Sequence, residues 1–353
     1  MRKGKVGFAV VGCGVIGPWH AKAISLASKA ELVALCDVDL GKAEKLAAEY
    51  GDVPCYANHK TMLKNEPDID CVCACVPSGL HWRIAVDAAK AGRHVLSEKP
   101  LDVTLGHMDK MIDTAAANGV KLGCIFQKRT SPVTQTIKGV LEKGKLGTLV
   151  LADCYQKYYR SPAYYKSAGW RGTWKLDGGG ALMNQGVHGI DQLLYLMGDV
   201  DTVSANAAPL VRDIPVEDTA VAILRFKNGA FGVIEGTTSV TPAFGCRTEI
   251  HGENGSVIFD GELKKYAITK KKADIAKDTP LKIKSAGPTK SAAADPKNLS
   301  VRGHMLQVQD MATAILKDRE PMVPGPEARK AVELILAIYK YARTGKQIKL
   351  PLK

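Results

Sequence analysis

The sequence predicts an α/β protein with two domains, the first built on a doubly wound parallel sheet and the second on a mainly antiparallel or mixed sheet. Three observations lead to this fold class. With 353 residues, the chain is long for one compact core, so two domains are expected. Short apolar runs alternate with helical patterns in the first third. Later strand-like runs are instead joined by Asn-Gly turns.

The first domain is predicted to cover residues 1–124 and to begin with a buried strand. Residues 6–11 form an apolar run that leads directly into glycines, which is typical of a buried parallel strand. The elements that follow are helical patterns to about residue 29 and at about 41–50, 79–91 and 104–118, and strands at 31–36, 70–76, 93–97 and 120–125. Alternation at this spacing indicates a parallel sheet with helices on both faces.

The second domain is predicted to cover residues 125–353. Its predicted strands are 149–159, 219–226, 231–239 and 246–251. The pairs Asn228-Gly229 and Asn254-Gly255 are typical of tight hairpins and indicate antiparallel pairing. The strongest helical pattern lies at 326–344, and a few helices are expected against one face of the sheet.

Composition indicates a soluble protein. Hydrophobic residues make up 46% and charged residues 24% of the chain, and no apolar run is long enough to span a membrane. The basic N-terminus imitates a signal peptide, but glycines interrupt the apolar stretch that follows it. A cytoplasmic protein without a membrane partner is therefore expected.

The nine cysteines lack the spacing of a metal site, and no metal is predicted. Cys71, Cys73 and Cys75 alternate along a predicted strand, so all three would point to one face. A zinc site would need a further Cys or His pair, whereas buried thiols can pack as small apolar groups. Reduced, buried thiols are therefore predicted, which fits a reducing compartment.

Half of the net charge of +13 is concentrated in one segment. Residues 264–297 contain ten lysines against three aspartates, a surplus of seven. A nucleic-acid site would interleave basic and aromatic residues, and this segment contains only Tyr266, so no nucleic-acid partner is expected. Residues 264–300 are predicted to be a solvated excursion, or else a basic rim that attracts anionic substrates.

A glycine-rich turn at the end of the first strand has the spacing of a dinucleotide-binding motif. Gly12-Cys13-Gly14-Val15-Ile16-Gly17 follows a strand and opens a helix, whose N-terminus can receive a pyrophosphate. Asp37 lies 20 residues past Gly17, at the end of the second strand. A carboxylate there hydrogen-bonds ribose hydroxyls and repels a 2′-phosphate, so NAD is predicted rather than NADP.

Lys99 is the first candidate for a catalytic group. It belongs to Glu98-Lys99-Pro100, directly after the strand at 93–97. Ligands of a doubly wound sheet bind beyond the carboxyl ends of its strands, so Lys99 is expected to project towards the nicotinamide. A lysine near a cationic ring can serve in proton transfer. The alternative is a surface lysine at a turn.

The second candidate is a polar stripe on an apolar helix. Asn184, His188 and Asp191 follow three glycines at spacings i, i+4 and i+7, which places them on one side of a helix. Polar groups on a buried helix need a partner or a ligand, and Asp191 could orient the imidazole of His188. The alternative is a satisfied core histidine, with Asn184 as a cap.

Together these motifs resemble the glucose–fructose oxidoreductase, inositol dehydrogenase and MocA (Gfo/Idh/MocA) family over nearly the whole chain. The resemblance rests on the glycine-rich turn with Asp37, on Val76-Pro77-Ser78 with His81, on Glu98-Lys99-Pro100, and on the helix with His188 and Asp191. It implies a Rossmann domain followed by an α+β domain with a large open-faced sheet. It also implies a homodimer or homotetramer formed through that open face.

The resemblance further implies the residues of the site. Lys99 and His188 would be the catalytic acid–base groups, supported by Asn184 and Asp191. Beyond the glycine-rich turn and Asp37, the implied cofactor contacts are Pro77, Ser78, His81, Glu98, Lys99 and Gln127. Beyond Lys99, Asn184 and His188, the implied sugar contacts are Arg160, Tyr164, Tyr165, Trp170 and Arg171, since aromatic faces stack on sugars and arginines bind anions.

One departure from the family pattern bears on the substrate. Many members, inositol dehydrogenases among them, have Asp four residues before the histidine, whereas this chain has Asn184. An amide cannot accept a proton, so a Lys–Asp–His triad is not available. The chain is more similar to the branch that oxidises the 3-hydroxyl of glycosides and of UDP-sugar acids.

The sequence thus predicts an NAD-dependent oxidoreductase that acts on a secondary hydroxyl, at C3 of a glucose-like ring in a sugar or glycoside. A UDP-sugar acid or an inositol is the alternative substrate. From a different class, the protein could be an NAD-binding sensor or regulatory subunit, but Lys99 and His188 argue for catalysis.

Overall fold

The computed structural model describes residues 4–269, 275–283 and 300–352, and the chain forms two compact units. The first unit comprises residues 1–127 and 300–329, and the second comprises residues 128–299 and 330–353. The first boundary lies three residues after the expected position. The second domain is not continuous from 125 to 353, however, because residues 300–329 return to the first unit.

The first unit is a doubly wound sheet of six parallel strands in the order β3-β2-β1-β4-β5-β6. Its strands are β1 (Val6–Val11), β2 (Ala30–Cys36), β3 (Cys55–Tyr56), β4 (Cys71–Ala74), β5 (His94–Ser97) and β6 (Leu122–Cys124). Its helices are α1 (Gly17–Leu26), α2 (Leu40–Ala47), α3 (His59–Asn65), α4 (His81–Lys90), α5 (Leu105–Ala117) and, from the later segment, α9 (Val301–Leu316). All predicted elements of this unit are present, whereas β3 and α3 were not predicted.

Helix α9 explains why the chain returns to the first unit. Its residues Val308 and Met311 are fully buried in the same apolar cluster as Ala21 and Ile24 of α1. Burial of these side chains removes apolar area from water, which stabilises the docked helix. The division predicted from the sequence missed this contact because no local pattern links α9 to a helix almost 300 residues earlier.

The second unit contains a nine-stranded sheet in the order β14-β13-β12-β11-β7-β10-β9-β8-β15. Its strands are β7 (Leu149–Lys157), β8 (Val200–Ala208), β9 (Thr219–Phe226), β10 (Phe231–Thr237), β11 (Gly245–Gly252), β12 (Gly255–Phe259), β13 (Leu263–Ile268), β14 (Lys277–Asp278) and β15 (Ile348–Lys349). Among the strands described in this unit, β7 and β10 are the one parallel pair. Both predicted hairpins, β9–β10 and β11–β12, are confirmed.

The helices of this unit are α6 (Pro132–Glu142), α7 (Pro162–Lys166), a π-helical segment (Ala181–Gly186) that continues into α8 (Val187–Met197), and α10 (Gly325–Thr344), which belongs to this unit from residue 330 onward. The π-helical segment and α8 pack against one face of the sheet, on β7, β9, β10 and β11. Helix α8 lies so close to β7 that a Cβ atom on Gly189 would collide with the side chain of Gln156. Glycine at this position therefore permits the close packing of helix on sheet.

The opposite face of the sheet is open and partly apolar. Along β9, Val221 and Ile223 are 45% and 62% exposed, while the residues between them are buried. Phe231 of β10, on the same face, is 58% exposed. The open-faced sheet implied by the family resemblance is therefore present.

The lysine-rich segment differs from its prediction. Residues 264–268 are part of β13, with Tyr266 buried, and are not a solvated excursion. They form a strand because they pair with β12, which continues the sheet. Residues 270–274 and 284–299, which make up most of the segment, lie outside the described residues.

All nine cysteines are free thiols. Cys71, Cys73 and Cys75 lie together in the apolar core of the first unit, as the prediction of buried thiols required. Within the described ranges, no helix is both long enough and apolar enough to cross a membrane.

Candidate active site

The glycine-rich turn has the geometry that a dinucleotide requires. Gly12 has a φ of +101°, and a Cβ atom there would lie 2.5 Å from the carbonyl oxygen of Cys75. A Cβ atom on Gly17 would collide with the carbonyl oxygen of Gly12. Gly14, by contrast, faces open space, and Val15 is 78% exposed. The turn is therefore closed towards the protein and open towards a ligand at the N-terminus of α1.

Asp37 is held beside this turn at the end of β2. Its Oδ2 accepts a hydrogen bond from the backbone N–H of Cys13 at 2.8 Å, and its Oδ1 accepts one from the N–H of Asp39 at 2.9 Å. An immobilised carboxylate at this position suits two ribose hydroxyls, while open space at Gly14 suits a pyrophosphate. The residues present therefore fit NAD.

Two further predicted cofactor residues occupy the loop after β4. Pro77 precedes a single 3₁₀ turn, Ser78–Leu80, which leads into α4 at His81. The two ring nitrogens of His81 lie 2.8 Å from the carbonyl oxygen of Pro100 and 2.9 Å from that of Val76. Because His81 is buried and both nitrogens face backbone oxygens, it braces the two loops, and this arrangement gives no support to a direct contact with the cofactor.

Lys99 directly follows Glu98 at the carboxyl end of β5. It is half-buried, whereas its neighbours Glu98 and Pro100 are buried. The backbone N–H of Lys99 donates a hydrogen bond to Glu98 Oε2 at 3.0 Å. Lys99 is therefore the residue of this turn that reaches the surface at the carboxyl end of the sheet, where ligands of such sheets bind, and its approach to the nicotinamide stays a prediction.

Glu98 is directed into the protein and not towards a ligand. It is 4% exposed, and its Oε1 lies 2.9 Å from His20 Nε2 and 3.1 Å from His304 Nε2. Gln127, another predicted cofactor residue, has its side-chain amide 3.1 Å from the same nitrogen of His304. Through these contacts Glu98 supports the structure of the first unit.

In the second unit, the helix with the polar stripe presents two residues at its surface. From Ala181 to Asp191, Asn184 and His188 are half-buried and every other residue is buried. The Asn184 amide donates a hydrogen bond to Asp177 Oδ1 at 2.7 Å, from within the π-helical segment. The partial exposure of His188 argues against a core histidine, and the position of Asn184 argues against a cap.

Asp191 has a partner that the sequence did not predict. Its carboxylate accepts hydrogen bonds from Arg129, with Nε at 2.9 Å from Oδ2 and Nη2 at 2.6 Å from Oδ1. Both residues are buried, and this bidentate geometry is the strongest that an arginine offers a carboxylate. The pair anchors α8 at the turn after His188.

The predicted sugar-binding residues lie around the ring of Tyr164. The Arg171 guanidinium stacks 4.3 Å from this ring and 4.7 Å from that of Trp170, and the Arg160 guanidinium lies 5.5 Å from Tyr164. Gln185, next to Asn184, donates a hydrogen bond to the Tyr164 hydroxyl at 3.0 Å. The structure thus joins the arginine-aromatic cluster to the helix of His188.

Tyr165, a predicted sugar contact, and Arg212 also have partners among the aromatic and hydroxyl side chains of the second unit. Tyr165 packs edge-on against Tyr164, but its hydroxyl is hydrogen-bonded to Thr238 at 2.7 Å. Arg212, which was not predicted as a site residue, stacks 5.3 Å from the ring of Tyr159. It lies in a loop without periodicity, so no local pattern marked it.

Glu217 is another residue whose role was not predicted from the sequence. Its buried carboxylate accepts hydrogen bonds from the N–H groups of Gly180 and Leu182, each at 2.9 Å, and from the Tyr339 hydroxyl at 2.7 Å. It therefore holds the start of the π-helical segment. Burial raises the pKa of Glu217 to about 7. A single glutamate before a strand carries no sequence signal for this role.

Comparison with known proteins shows the family to which both domains belong. Residues 6–126 match the family model for an oxidoreductase family with an NAD-binding Rossmann fold, and residues 134–258 match the GFO/IDH/MocA C-terminal domain. The WlbA dehydrogenase from Bordetella pertussis, solved with NADH and UDP-GlcNAcA, is 32% identical, with a TM-score of 0.85 over 99% of this chain and 100% of that one.

Two curated relatives have related names. Myo-inositol 2-dehydrogenase of Thermotoga maritima is 29% identical over 71% of this chain and 72% of its own length. D-Glucoside 3-dehydrogenase of Escherichia coli is 32% identical over 56% of each chain. With both domains matched and the glycine-rich turn and Asp37 arranged for NAD, the chain belongs to the Gfo/Idh/MocA family and is an NAD-dependent oxidoreductase.

Proposed function

We propose that the protein oxidises the 3-hydroxyl of a glucose-like sugar ring, with Lys99 and His188 as its acid–base pair. The observation that carries this proposal is the pattern of exposure on the α8 helix and its π-helical start. Asn184 and His188 reach the surface of a buried helix next to a cluster of arginines and aromatic rings. Such a surface offers a proton acceptor together with groups that bind a sugar.

The chemistry divides between the cofactor and the chain. Bound NAD would supply the acceptor for the hydride of the carbinol carbon. In the oxidative direction His188 or Lys99 takes the hydroxyl proton, and the other group stabilises the negative charge that develops on the oxygen. Asn184 cannot accept a proton, and its amide donates to Asp177, so its task is to orient a substrate hydroxyl.

The arginines favour an anionic sugar over a neutral glycoside. The Nε atoms of Arg171 and Arg212 are buried and have no hydrogen-bond partner among the described residues. Half-buried arginines with spare donors suit a carboxylate or a phosphate. The similarity to WlbA, which was solved with UDP-GlcNAcA, points the same way. We therefore place a UDP-sugar acid before a glycoside, which reverses the order expected from the sequence.

A substrate screen tests the proposal. We expect NADH formation with a UDP-hexuronate, and a value of kcat/KM roughly 100-fold or more lower with the matched neutral UDP-hexose. Alkyl glucosides test the alternative, and myo-inositol should be rejected. Lys99→Ala should abolish turnover but retain NADH binding. No oxidation of any of these compounds, or full turnover by Lys99→Ala, would contradict the proposal.

We also propose a homodimer or homotetramer formed through the open face of the sheet. Val221, Ile223 and Phe231 expose apolar area on that face. Exposed apolar patches of this kind are typical of interaction surfaces. The nine free thiols further support our proposal of a cytoplasmic, reducing location.

A further inference from the structure

Glu98 lies at the centre of a buried cluster that includes the turn of Lys99. One carboxylate oxygen, Oε1, accepts hydrogen bonds from His20 Nε2 at 2.9 Å and from His304 Nε2 at 3.1 Å. The other oxygen, Oε2, accepts the backbone N–H of Lys99 at 3.0 Å. His20 and His304 are fully buried. Both oxygens of one carboxylate are thus used to connect three separate segments.

The carboxylate is ionised although it is buried. Burial by itself raises the pKa of Glu98, but the hydrogen bonds from His20 and His304 outweigh this effect and hold the pKa well below its ordinary value. Burial also lowers the pKa of His20, so this imidazole stays neutral. A fixed negative charge therefore lies one residue from Lys99.

The two histidines come from elements with different tasks. His20 lies on α1, which begins at the glycine-rich turn for the cofactor. His304 lies on α9, which joins the first unit from the later part of the chain. Through Glu98, the turn with Lys99 is tied to the helix that starts the cofactor site. Supporting contacts of this kind fix the geometry on which catalytic groups depend.

We propose that His20 and His304 are positioning residues, which hold the Glu98 carboxylate so that it fixes the backbone of Lys99 and keeps a negative charge beside it. This inference rests on the role of Lys99 in the proposed function. Neither histidine was among the site residues predicted from the sequence. Each acts on the reaction only through Glu98 and Lys99.

The same three side chains could in principle hold a metal ion, since their ligand atoms lie within 4.8 Å of one another. The second ring nitrogen of each histidine, Nδ1, favours the hydrogen-bonded arrangement over a metal site. The Nδ1 atoms of His20 and His304 are buried without a hydrogen-bond partner among the described residues. A histidine that binds a metal usually donates its other ring N–H to a supporting group.

The first experiment measures the reactivity of Lys99 directly in the protein without cofactor. Glu98→Gln preserves the shape of the side chain and removes its charge. We expect acetylation of Lys99 by acetic anhydride, followed by mass spectrometry, to begin about one pH unit lower in the variant, because the residue next to Lys99 in the chain loses its negative charge. An unchanged pH profile of labelling would overturn the electrostatic part of the proposal.

The other titratable groups that face Glu98 do not complicate this measurement. Burial raises the pKa of Cys73 of β4 and of Cys75, directly after β4, far above the ordinary value, so both thiols stay neutral. His81 of α4 faces backbone oxygens on both sides. Labelling of exposed lysines, such as Lys42, provides an internal reference.

The second experiment compares two replacements of His304. His304→Gln retains an N–H donor for Glu98, whereas His304→Leu does not. We expect kcat to fall roughly 10–100-fold in the Leu variant with little change in the Kd for NADH, and the Gln variant to recover most of the loss. Circular dichroism and Tm verify the fold of both, and if His304→Leu fails to fold, Glu98→Gln provides the same comparison.

The outcomes separate this inference from the proposed function. Full activity in Lys99→Ala would remove the proposed function itself. Loss of activity in Lys99→Ala together with full activity in His304→Leu would remove only the role of the histidines. A stoichiometric metal in the purified protein, whose removal by a chelator abolishes activity, would replace the hydrogen-bonded arrangement with a metal site.

Discussion

Three acidic residues at the site accept hydrogen bonds from backbone N–H groups, and these bonds fix the position of each carboxylate. Asp37 accepts two such groups beside the glycine-rich turn, Glu98 accepts the N–H of Lys99, and Glu217 accepts those of Gly180 and Leu182. Hydrogen bonds of a carboxylate to backbone N–H groups are strong and directional. At the scale of single residues, the site is therefore organised by acids that hold turns in place.

Asp37 should set the choice between NAD and NADP. Asp37→Ser removes the carboxylate that repels a 2′-phosphate, so we expect kcat/KM for NAD to fall roughly 10–100-fold and activity with NADP to appear. Steady-state kinetics with both cofactors measure the effect. Asp39→Asn is the matched control, because Asp39 contributes only its backbone N–H to Asp37. Unaltered discrimination in Asp37→Ser would contradict the role of the carboxylate.

Glu217 should make stability depend on pH. Its pKa is about 7 in the folded chain against an ordinary value of 4.5, so the folded state holds a proton that the unfolded state releases. The free energy of unfolding that this group contributes is present below pH 4.5 and is lost as pH rises through 7.

Glu217→Gln has no such titration. Between about pH 5 and pH 8 we expect the wild type to lose on the order of 2–3 kcal/mol relative to the variant, measured by urea unfolding. A constant difference across this range would contradict a raised pKa.

At the scale of elements, Asn184 lies in the π-helical start of α8 and His188 in the first turn of α8 itself, and both are half-buried. Wide π-helical turns occur frequently at functional sites. The segment is fixed from both sides, by Glu217 at its start and by the Arg129–Asp191 pair one turn after His188. Helix α8 also packs closely against β7 at Gly189.

This close packing gives a prediction about two helical glycines of the same unit. In Gly189→Ala the new Cβ atom would lie 3.0 Å from Cys154 Sγ and collide with Gln156, so we expect a loss of about 1–3 kcal/mol of stability. In Gly139→Ala of α6 the Cβ atom meets nothing within 4 Å, so we expect a gain of about 0.5–1 kcal/mol. Thermal unfolding compares the two, and equal effects would refute the packing argument.

At the scale of the whole molecule, each unit is completed by a segment distant in sequence. The first unit takes residues 300–329, and the second takes residues 330–353, including β15 at the edge of its sheet. The second unit leaves one face of its sheet open, with apolar side chains along β9 and β10. Our proposal of self-association concerns this face.

Ile223→Lys tests the association. A charge at the centre of a buried apolar interface is costly, so we expect the variant to have a lower mass than the wild type in analytical ultracentrifugation at micromolar concentration. Lys227→Glu, in the turn at the end of β9, is a control for a change of charge outside the face and should assemble normally. A monomeric wild-type protein, or an unchanged assembly in Ile223→Lys, would refute the interface.

The sequence by itself determined the parts of the protein that depend on local patterns. The alternation of β1 to β6 with their helices, the two Asn-Gly hairpins, the glycine-rich turn and the stripe of Asn184 and His188 all follow from periodicity and turn chemistry. The short elements β3 and α3 were not predicted from the sequence, because each has too few residues to show a clear periodic pattern.

Only the tertiary structure decided which distant residues meet. Glu98 is turned inward by His20 and His304, Asp191 is paired with Arg129, and α9 completes the core of the first unit. The hydrogen-bonded pairs among these join residues separated by 62 to 206 positions, and α9 packs on a helix still further away in sequence. Spacing along a chain constrains neighbours on one helix or strand, whereas burial and hydrogen bonding between separate elements depend on how the whole chain packs.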